Sequence, residues 1–192
     1  QILPNRIDGI DVLINRAGFT GEKLGFEIYY PKDKAPEQEK KLRELAPEFG
    51  GREVTEFQVM AWTLPCEAGF YYMRDLRHTN PYEVGLTAGF DWDKDFIGKE
   101  ALAAIRDNGA EREVVGFTVA EKDIHIKGRN MGNEGEKVFL DGEEIGRVMK
   151  ITYSYVLDIN NGTIICKKGL LHPGDKVLLH GHEAVICAPK FI

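Results

Sequence analysis

The 192-residue sequence has few cysteines and no clustered basic charge. Its three cysteines, Cys66, Cys166 and Cys187, lie far apart and form no C-x-x-C pair, which argues against a disulfide framework and a structural zinc site. Acidic residues outnumber basic ones by 31 to 25, and no basic cluster interleaves with aromatics, which argues against a nucleic-acid partner. The cysteine usage fits a reducing compartment and predicts a cytoplasmic protein.

Long apolar runs are also absent. No stretch reaches the roughly 18 apolar residues of a membrane span, and residues 1–4 lack the basic-then-apolar pattern of a secretory signal. We therefore expect no membrane partner. The hydrophobic content of 43% and the mixed charges are typical of a globular fold. The start on Gln1, almost directly on a strand-like run, is typical of a piece of a longer protein.

The pattern of strands and helices changes near residue 110. Before that point come two strand-like segments, residues 11–14 and 26–30, and three helix-like segments, residues 36–49, 55–62 and 96–108. The first helix is expected to cover one face of a sheet. After Glu113, six short strand-like segments follow one another: residues 114–119, 137–140, 144–149, 163–166, 176–179 and 184–187.

These patterns predict an α+β protein with a mixed-sheet α/β region over residues 1–110 and a small C-terminal β-barrel domain over residues 111–192. Asp141-Gly142 is a strong signal for a two-residue hairpin within the barrel. The polar stretch 107–113 is the predicted boundary.

A glycine-rich loop lies between the first two predicted strands, in the stretch RAGFTGEKLGFEIYYP at residues 16–31. Its glycines match neither phosphate-binding fingerprint, which favours a tight turn over a phosphate loop. Strand alternation puts Phe26 and Ile28 on one face and Glu27 with Tyr29 on the other. The Glu27 carboxylate either faces solvent or accepts two adjacent N–H donors of a ligand, and the residues alone favour solvent.

For two of the histidines and for Cys66, the sequence favours a structural role over a metal site or a catalytic nucleophile. His180 and His182 lie at the tip of a predicted hairpin with no third ligand nearby, which favours turn histidines over a zinc site. Cys66 has no paired histidine, which favours a buried thiol over a nucleophile.

Four blocks of sequence follow one another in a distinctive order. Residues 16–22 and 25–28 match the pattern R-T-G-Y-T-G-E-x-G-F/Y-E, with one extra residue between them. Residues 67–69, 79–86 and 93–102 match L-E-A-G, T-N-P-x-E-A-G-L and D-F-I-G-K-E-A-L. Together the blocks resemble the aminomethyltransferase, or T-protein, family of the glycine cleavage system and its folate-dependent relatives.

The resemblance covers nearly all of the chain but only about the C-terminal half of the family's length. It implies tetrahydrofolate-dependent transfer of an aminomethyl or methyl group, with Glu27 holding the pterin ring. Phe19, which stands at the family's loop tyrosine, and Phe26, which precedes Glu27, are the other residues predicted to bind the cofactor. The family's catalytic aspartate lies in the other half, so no catalytic residue is predicted here, and whether this chain alone is an enzyme stays open. A small methyl or aminomethyl donor and a lipoyl carrier protein are the other implied partners.

Departures from the family pattern keep alternatives open. The family's folate-contacting arginine aligns with Ala61, and Phe19 lacks the tyrosine hydroxyl. One alternative is a relative that demethylates an O-, S- or N-methyl substrate onto tetrahydrofolate. Another is a folate-binding or interaction module without turnover. The branch that serves iron–sulfur enzyme maturation is disfavoured because residues 95–100 lack its cysteine.

Overall fold

The computed structural model describes residues 2–55, 57, 59–130 and 132–192, and the chain divides into two compact units. The N-terminal unit comprises residues 1–65 and the C-terminal unit residues 66–192. The fold is a mixture of helices and sheets, one of them barrel-like, as the sequence predicts. All pairs between the described strands are antiparallel. The predicted boundary near residue 110, between an α/β region and a β-barrel domain, stays a prediction.

The N-terminal unit contains an antiparallel sheet of three strands in the order β1-β2-β3: β1 Ile2–Ile7, β2 Ile10–Asn15 and β3 Glu27–Tyr29. Asp8 and Gly9 join β1 to β2, and both have positive φ, 47° and 80°, as a two-residue hairpin of this hand requires. The two predicted strands of this region are confirmed as β2 and β3.

The helices of the N-terminal unit are short. Helix α1, Ala35–Leu45, continues as a 3₁₀ turn, Ala46–Phe49, and ends at Gly50 with φ of 73°. Gln38 is the one buried side chain of α1, and the expectation that this helix covers a sheet face stays a prediction.

The second predicted helix takes a different form. A π-helical turn, Val59–Thr63, leads into the four-residue helix α2, Leu64–Glu67. Thr55 and Gln58 match the sequence pattern of a capping box, but Gln58 lies outside the described residues. Pro65 is the second residue of α2 and follows the π-helical turn directly.

Helix α3, Lys99–Asn108, follows a long connection in the C-terminal unit. It ends at Gly109, whose φ is 85° and whose N–H donates to the Ile105 carbonyl at 2.8 Å. A residue with a Cβ resists this backbone conformation, so Gly109 forms the C-terminal cap of α3.

Six strands then form one antiparallel, nearly closed sheet. They are β4 Arg112–Val119, β5 Lys137–Leu140, β6 Glu143–Ser154, β7 Ile159–Lys167, β8 Lys176–Leu179 and β9 His182–Cys187. Their order is β5-β6-β7-β4-β9-β8, and the two edge strands β5 and β8 approach each other. The predicted hairpin at Asp141-Gly142 joins β5 to β6 with φ of 52° and 86°. The predicted strands are confirmed, and β6 and β7 run longer than expected.

Apolar side chains fill the inside of this barrel-like sheet. Phe117 on β4, Ile164 on β7 and Ile186 on β9 are almost fully buried in one cluster. Gly162 leaves room for the Phe117 ring, since a Cβ at Gly162 would lie 2.7 Å from it. Among the described residues, no helix is long and apolar enough to cross a membrane.

Candidate functional site

The pairing of β2 with β3 builds a polar cluster around Glu27. Asn15 stands directly opposite Glu27 in the antiparallel register, and Tyr29 lies two residues further along β3. Cross-strand partners and alternate residues share a sheet face, so the three side chains project from the same side. The predicted grouping of Glu27 with Tyr29 on one face is confirmed by their contact, and Asn15 joins them.

Two hydrogen bonds converge on one oxygen of the Glu27 carboxylate. The Tyr29 hydroxyl donates to Oε2 at 2.6 Å, and Asn15 Nδ2 donates to the same oxygen at 3.0 Å. The bond from Tyr29, followed by that from Asn15, lowers the pKa of Glu27, because both donors favour the ionised carboxylate. The same contact raises the pKa of Tyr29. Glu27 is therefore a charged acceptor at neutral pH.

The glycine loop brings the chain back on itself immediately before Glu27. A Cβ at Gly25 would lie 2.9 Å from the Ala17 carbonyl oxygen and 3.3 Å from Gly18 Cα. Only glycine permits this close approach of two backbone segments. At the loop's far side Gly21 has φ of 88°. The glycines thus close the loop at its base and start β3 at Glu27.

The two phenylalanines of the predicted site are largely exposed. Phe19, within the loop, is 63% exposed and Phe26, at its end, is 59% exposed. Neither ring therefore belongs to the apolar core, and both present aromatic surface in the segment that carries Glu27. Their assignment to a ligand site, like that of Glu27, stays a prediction.

Ala61, which aligns with the family's folate-contacting arginine, is buried in the π-helical turn. Its methyl side chain carries no charge and no hydrogen-bond donor, so Ala61 cannot make the contact that the arginine makes in the family.

A second polar cluster lies in the C-terminal unit. It joins segments of that unit by hydrogen bonds, and the sequence patterns did not predict it. Glu67 is fully buried, and its Oε1 accepts a hydrogen bond from Ser154 Oγ at 2.5 Å. Its backbone carbonyl accepts from the N–H groups of Phe191 and Ile192. Lys150 is buried nearby on β6 and donates to the Phe70 carbonyl. These bonds tie the segment after α2 to β6 and to the C-terminal residues.

The Asn-Pro block is an anchor for strand β4. The Asn80 side-chain oxygen accepts from the N–H groups of Tyr82 and Glu83 at 3.0 and 3.2 Å, and the Glu83 carboxylate accepts from the Asn80 N–H at 2.9 Å. Arg112 Nε and Nη2 donate to the two oxygens of Glu83 at 2.7 and 3.0 Å. Since Glu83 is buried, this paired charge holds the turn on β4.

The histidines at the β8–β9 turn contact carboxylates. His180 Nε2 lies 3.1 Å from Glu136 Oε2, and His182 Nδ1 contacts Glu121 Oε2. The described part of the chain contains no group of three or more histidine, cysteine or acidic side chains that could hold a metal ion. The histidines are at the hairpin tip, as predicted.

Cys66 is a buried thiol, as predicted. It is about 1% exposed, and burial raises its pKa to about 11. A thiolate is the nucleophilic form of cysteine, so a thiol with this pKa is unsuited to nucleophilic catalysis at neutral pH.

Known proteins are similar to this chain in sequence. Residues 2–94 match the family described as GCVT N-terminal domain. A probable aminomethyltransferase of Pyrococcus furiosus is 32% identical over 89% of this chain and 47% of its own length. An aminomethyltransferase of Halalkalibacterium halodurans is 32% identical over 95% of this chain and 48% of its own length.

A solved structure shares the fold. It is the glycine cleavage system aminomethyltransferase T from Bartonella henselae, with a TM-score of 0.75 and 22% identity, and the match covers 94% of this chain and 50% of that one. The chain therefore spans about half the length of the relatives it matches.

Proposed function

We propose that this chain, which belongs to the glycine cleavage T-protein family of aminomethyltransferases, provides the carboxylate that binds tetrahydrofolate in a one-carbon transferase. The observation that carries the proposal is the Glu27 carboxylate, ionised and held in place at the start of β3. An ionised carboxylate is a strong acceptor for the N–H groups of a pterin edge.

The residues present fit a reduced pterin. Glu27 supplies the charged acceptor, and the exposed rings of Phe19 and Phe26 supply apolar surface in the same segment. When bound, tetrahydrofolate would accept the one-carbon group. The part of this chain would be to bind and orient the ring, since holding reactants in the correct geometry lowers the barrier to group transfer.

Aminomethyl transfer is the reaction that the relatives support best. The names of the Pyrococcus furiosus and Halalkalibacterium halodurans relatives both specify an aminomethyltransferase, which favours this reaction over the demethylase and the module without turnover. The acid–base group is proposed to lie outside this chain. A small aminomethyl donor, a lipoyl carrier protein and a cytoplasmic location belong to the same proposal.

Titration calorimetry with tetrahydrofolate under reducing conditions tests the proposal. Glu27→Gln replaces one charged acceptor by an amide, and losing a charged hydrogen bond costs about 1.5–3 kcal/mol. We therefore expect binding to weaken about tenfold or more.

Glu22→Gln is the matched control, because Glu22 is an exposed carboxylate in the same loop. It removes the same charge and should leave affinity nearly unchanged. Equal weakening by both variants would indicate a general charge effect. Equal affinity of the parent and Glu27→Gln, or no binding by either, would refute the proposed site.

A further inference from the structure

The Glu27 carboxylate uses its two oxygens unequally. Oε2 accepts from both Tyr29 and Asn15, whereas no donor from the described residues reaches Oε1. A carboxylate oxygen has two lone-pair directions, so two donors saturate Oε2. The oxygen left for a ligand is therefore Oε1.

Burial does not impose these two bonds. Tyr29 is 52% exposed, and a polar group at such a position can be satisfied by water. The donors come instead from backbone positions fixed by the sheet, one directly opposite Glu27 and one two residues along the same strand. A tyrosine side chain has only two rotatable torsions before its ring is placed, so its hydroxyl orients a neighbour at low entropic cost.

We propose that Tyr29 and Asn15 are positioning residues that orient the Glu27 carboxylate and leave Oε1 as the single oxygen that receives a ligand N–H. The inference rests on the proposed function. It also limits how a ligand can bind Glu27. An aminopyrimidinone edge has two adjacent N–H donors, and it can donate one to each carboxylate oxygen only after Tyr29 or Asn15 releases Oε2.

The lowered pKa of Glu27 agrees with this arrangement. Both donors stabilise the ionised form, so the carboxylate keeps its charge without a cationic partner among the described side chains. Removing one donor should change the carboxylate's titration as well as its orientation.

Tyr29→Phe tests the inference because it deletes the hydroxyl and keeps the ring. Tyr30→Phe is the control, since it removes a hydroxyl from the adjacent residue, which follows β3 and is not among the described donors to the Glu27 carboxylate. Two quantities are measured in each variant: the pKa of Glu27 by carbon-13 NMR of its carboxyl group, and the affinity for tetrahydrofolate by calorimetry. Circular dichroism checks that the variants fold.

We expect Tyr29→Phe to raise the pKa of Glu27 and to weaken binding about threefold to tenfold, the effect of losing an ordinary hydrogen bond. Tyr30→Phe should change neither quantity. An unchanged pKa in Tyr29→Phe, or a raised pKa with parental affinity, would overturn the positioning role.

The Glu27→Gln titration separates the two levels of inference. If Glu27→Gln weakens binding and Tyr29→Phe does not, the folate site stands and the positioning role fails. If Glu27→Gln binds like the parent, or neither binds, the proposed function fails at Glu27 and the positioning role fails with it.

Discussion

The two units of this chain differ most in what they bury. The C-terminal unit encloses a continuous apolar cluster that includes Phe117, Ile164 and Ile186. Among the described residues of the N-terminal unit, the buried apolar side chains are Val12, Ala61 and Pro65. Burial of apolar surface is the main favourable term in folding, so the barrel-like sheet carries the larger share of stability.

Large apolar side chains are exposed in both units, but in the N-terminal unit few buried ones accompany them. The exposed ones of the N-terminal unit include Ile2, Leu3, Leu13, Phe19, Leu24, Phe26, Leu42, Phe49 and Phe57. This unit also carries the candidate ligand carboxylate. The comparison teaches that the proposed site lies in the part of the chain with the weaker core, as is common for ligand-binding segments drawn from regions of low local stability.

The largest expected effect comes from truncating a core ring. Phe117→Ala removes a fully buried side chain and leaves a cavity beside Gly162, so we expect a loss of about 3–5 kcal/mol in the free energy of unfolding. Chemical denaturation measures it. The control is Phe49→Ala in the N-terminal unit, where the ring is 84% exposed and the change should stay within about 0.5 kcal/mol. Similar losses in both variants would break the comparison.

A smaller effect is expected from two bidentate Arg–Glu pairs that differ in burial. Arg112→Met leaves the buried Glu83 carboxylate without its cationic partner and should cost about 1–3 kcal/mol. Arg43→Met breaks a similarly bidentate but exposed pair with Glu53 in the N-terminal unit and should change the free energy of unfolding much less, because water screens exposed ion pairs. Denaturant unfolding of both variants checks the order, and a larger loss for Arg43→Met would contradict it.

The smallest expected effect is a difference in pH dependence. Burial raises the pKa of Asp75 above its ordinary 3.8, so the folded state holds the proton more tightly and stability falls as pH rises through this window. The pKa of Glu27 lies below its ordinary 4.5, so its contribution is present above that value and is lost as pH falls through the folded pKa.

The two carboxyl groups therefore give opposite slopes of stability against pH. The unfolding midpoints of the parent, Asp75→Asn and Glu27→Gln, measured across acidic pH, check this. Relative to its variant, Asp75 should disfavour folding as pH rises, whereas Glu27 should favour it. Slopes of the same sign would show that the two environments do not differ as described.

Local features were predictable wherever a residue's own backbone preference decides the structure. Asp141-Gly142 forms its hairpin and Gly109 ends α3 because both turns need positive φ. The strands of the barrel-like sheet were predictable because their apolar, β-branched segments are bounded by turn residues. The alternation that pairs Glu27 with Tyr29 follows from the period of two in any strand.

Features that depend on distant partners were not predictable. Helix α1 has apolar residues at helical spacing, yet Leu42 stays exposed, because spacing cannot say whether another element packs there. The Arg112–Glu83 pair joins residues 29 positions apart and depends on where β4 passes the Asn80 turn.

By itself the sequence determined most of the elements and their turns, the family and the strand face that carries Glu27, since each depends on local periodicity, backbone preference or matched blocks. Only the tertiary structure decided that Asn15 stands opposite Glu27, because this follows from the register of β2 and β3 across the glycine loop. That register brings two donors to Oε2, and no donor among the described residues reaches Oε1. The chemistry of the candidate site therefore depends on a pairing between strands that no single segment encodes.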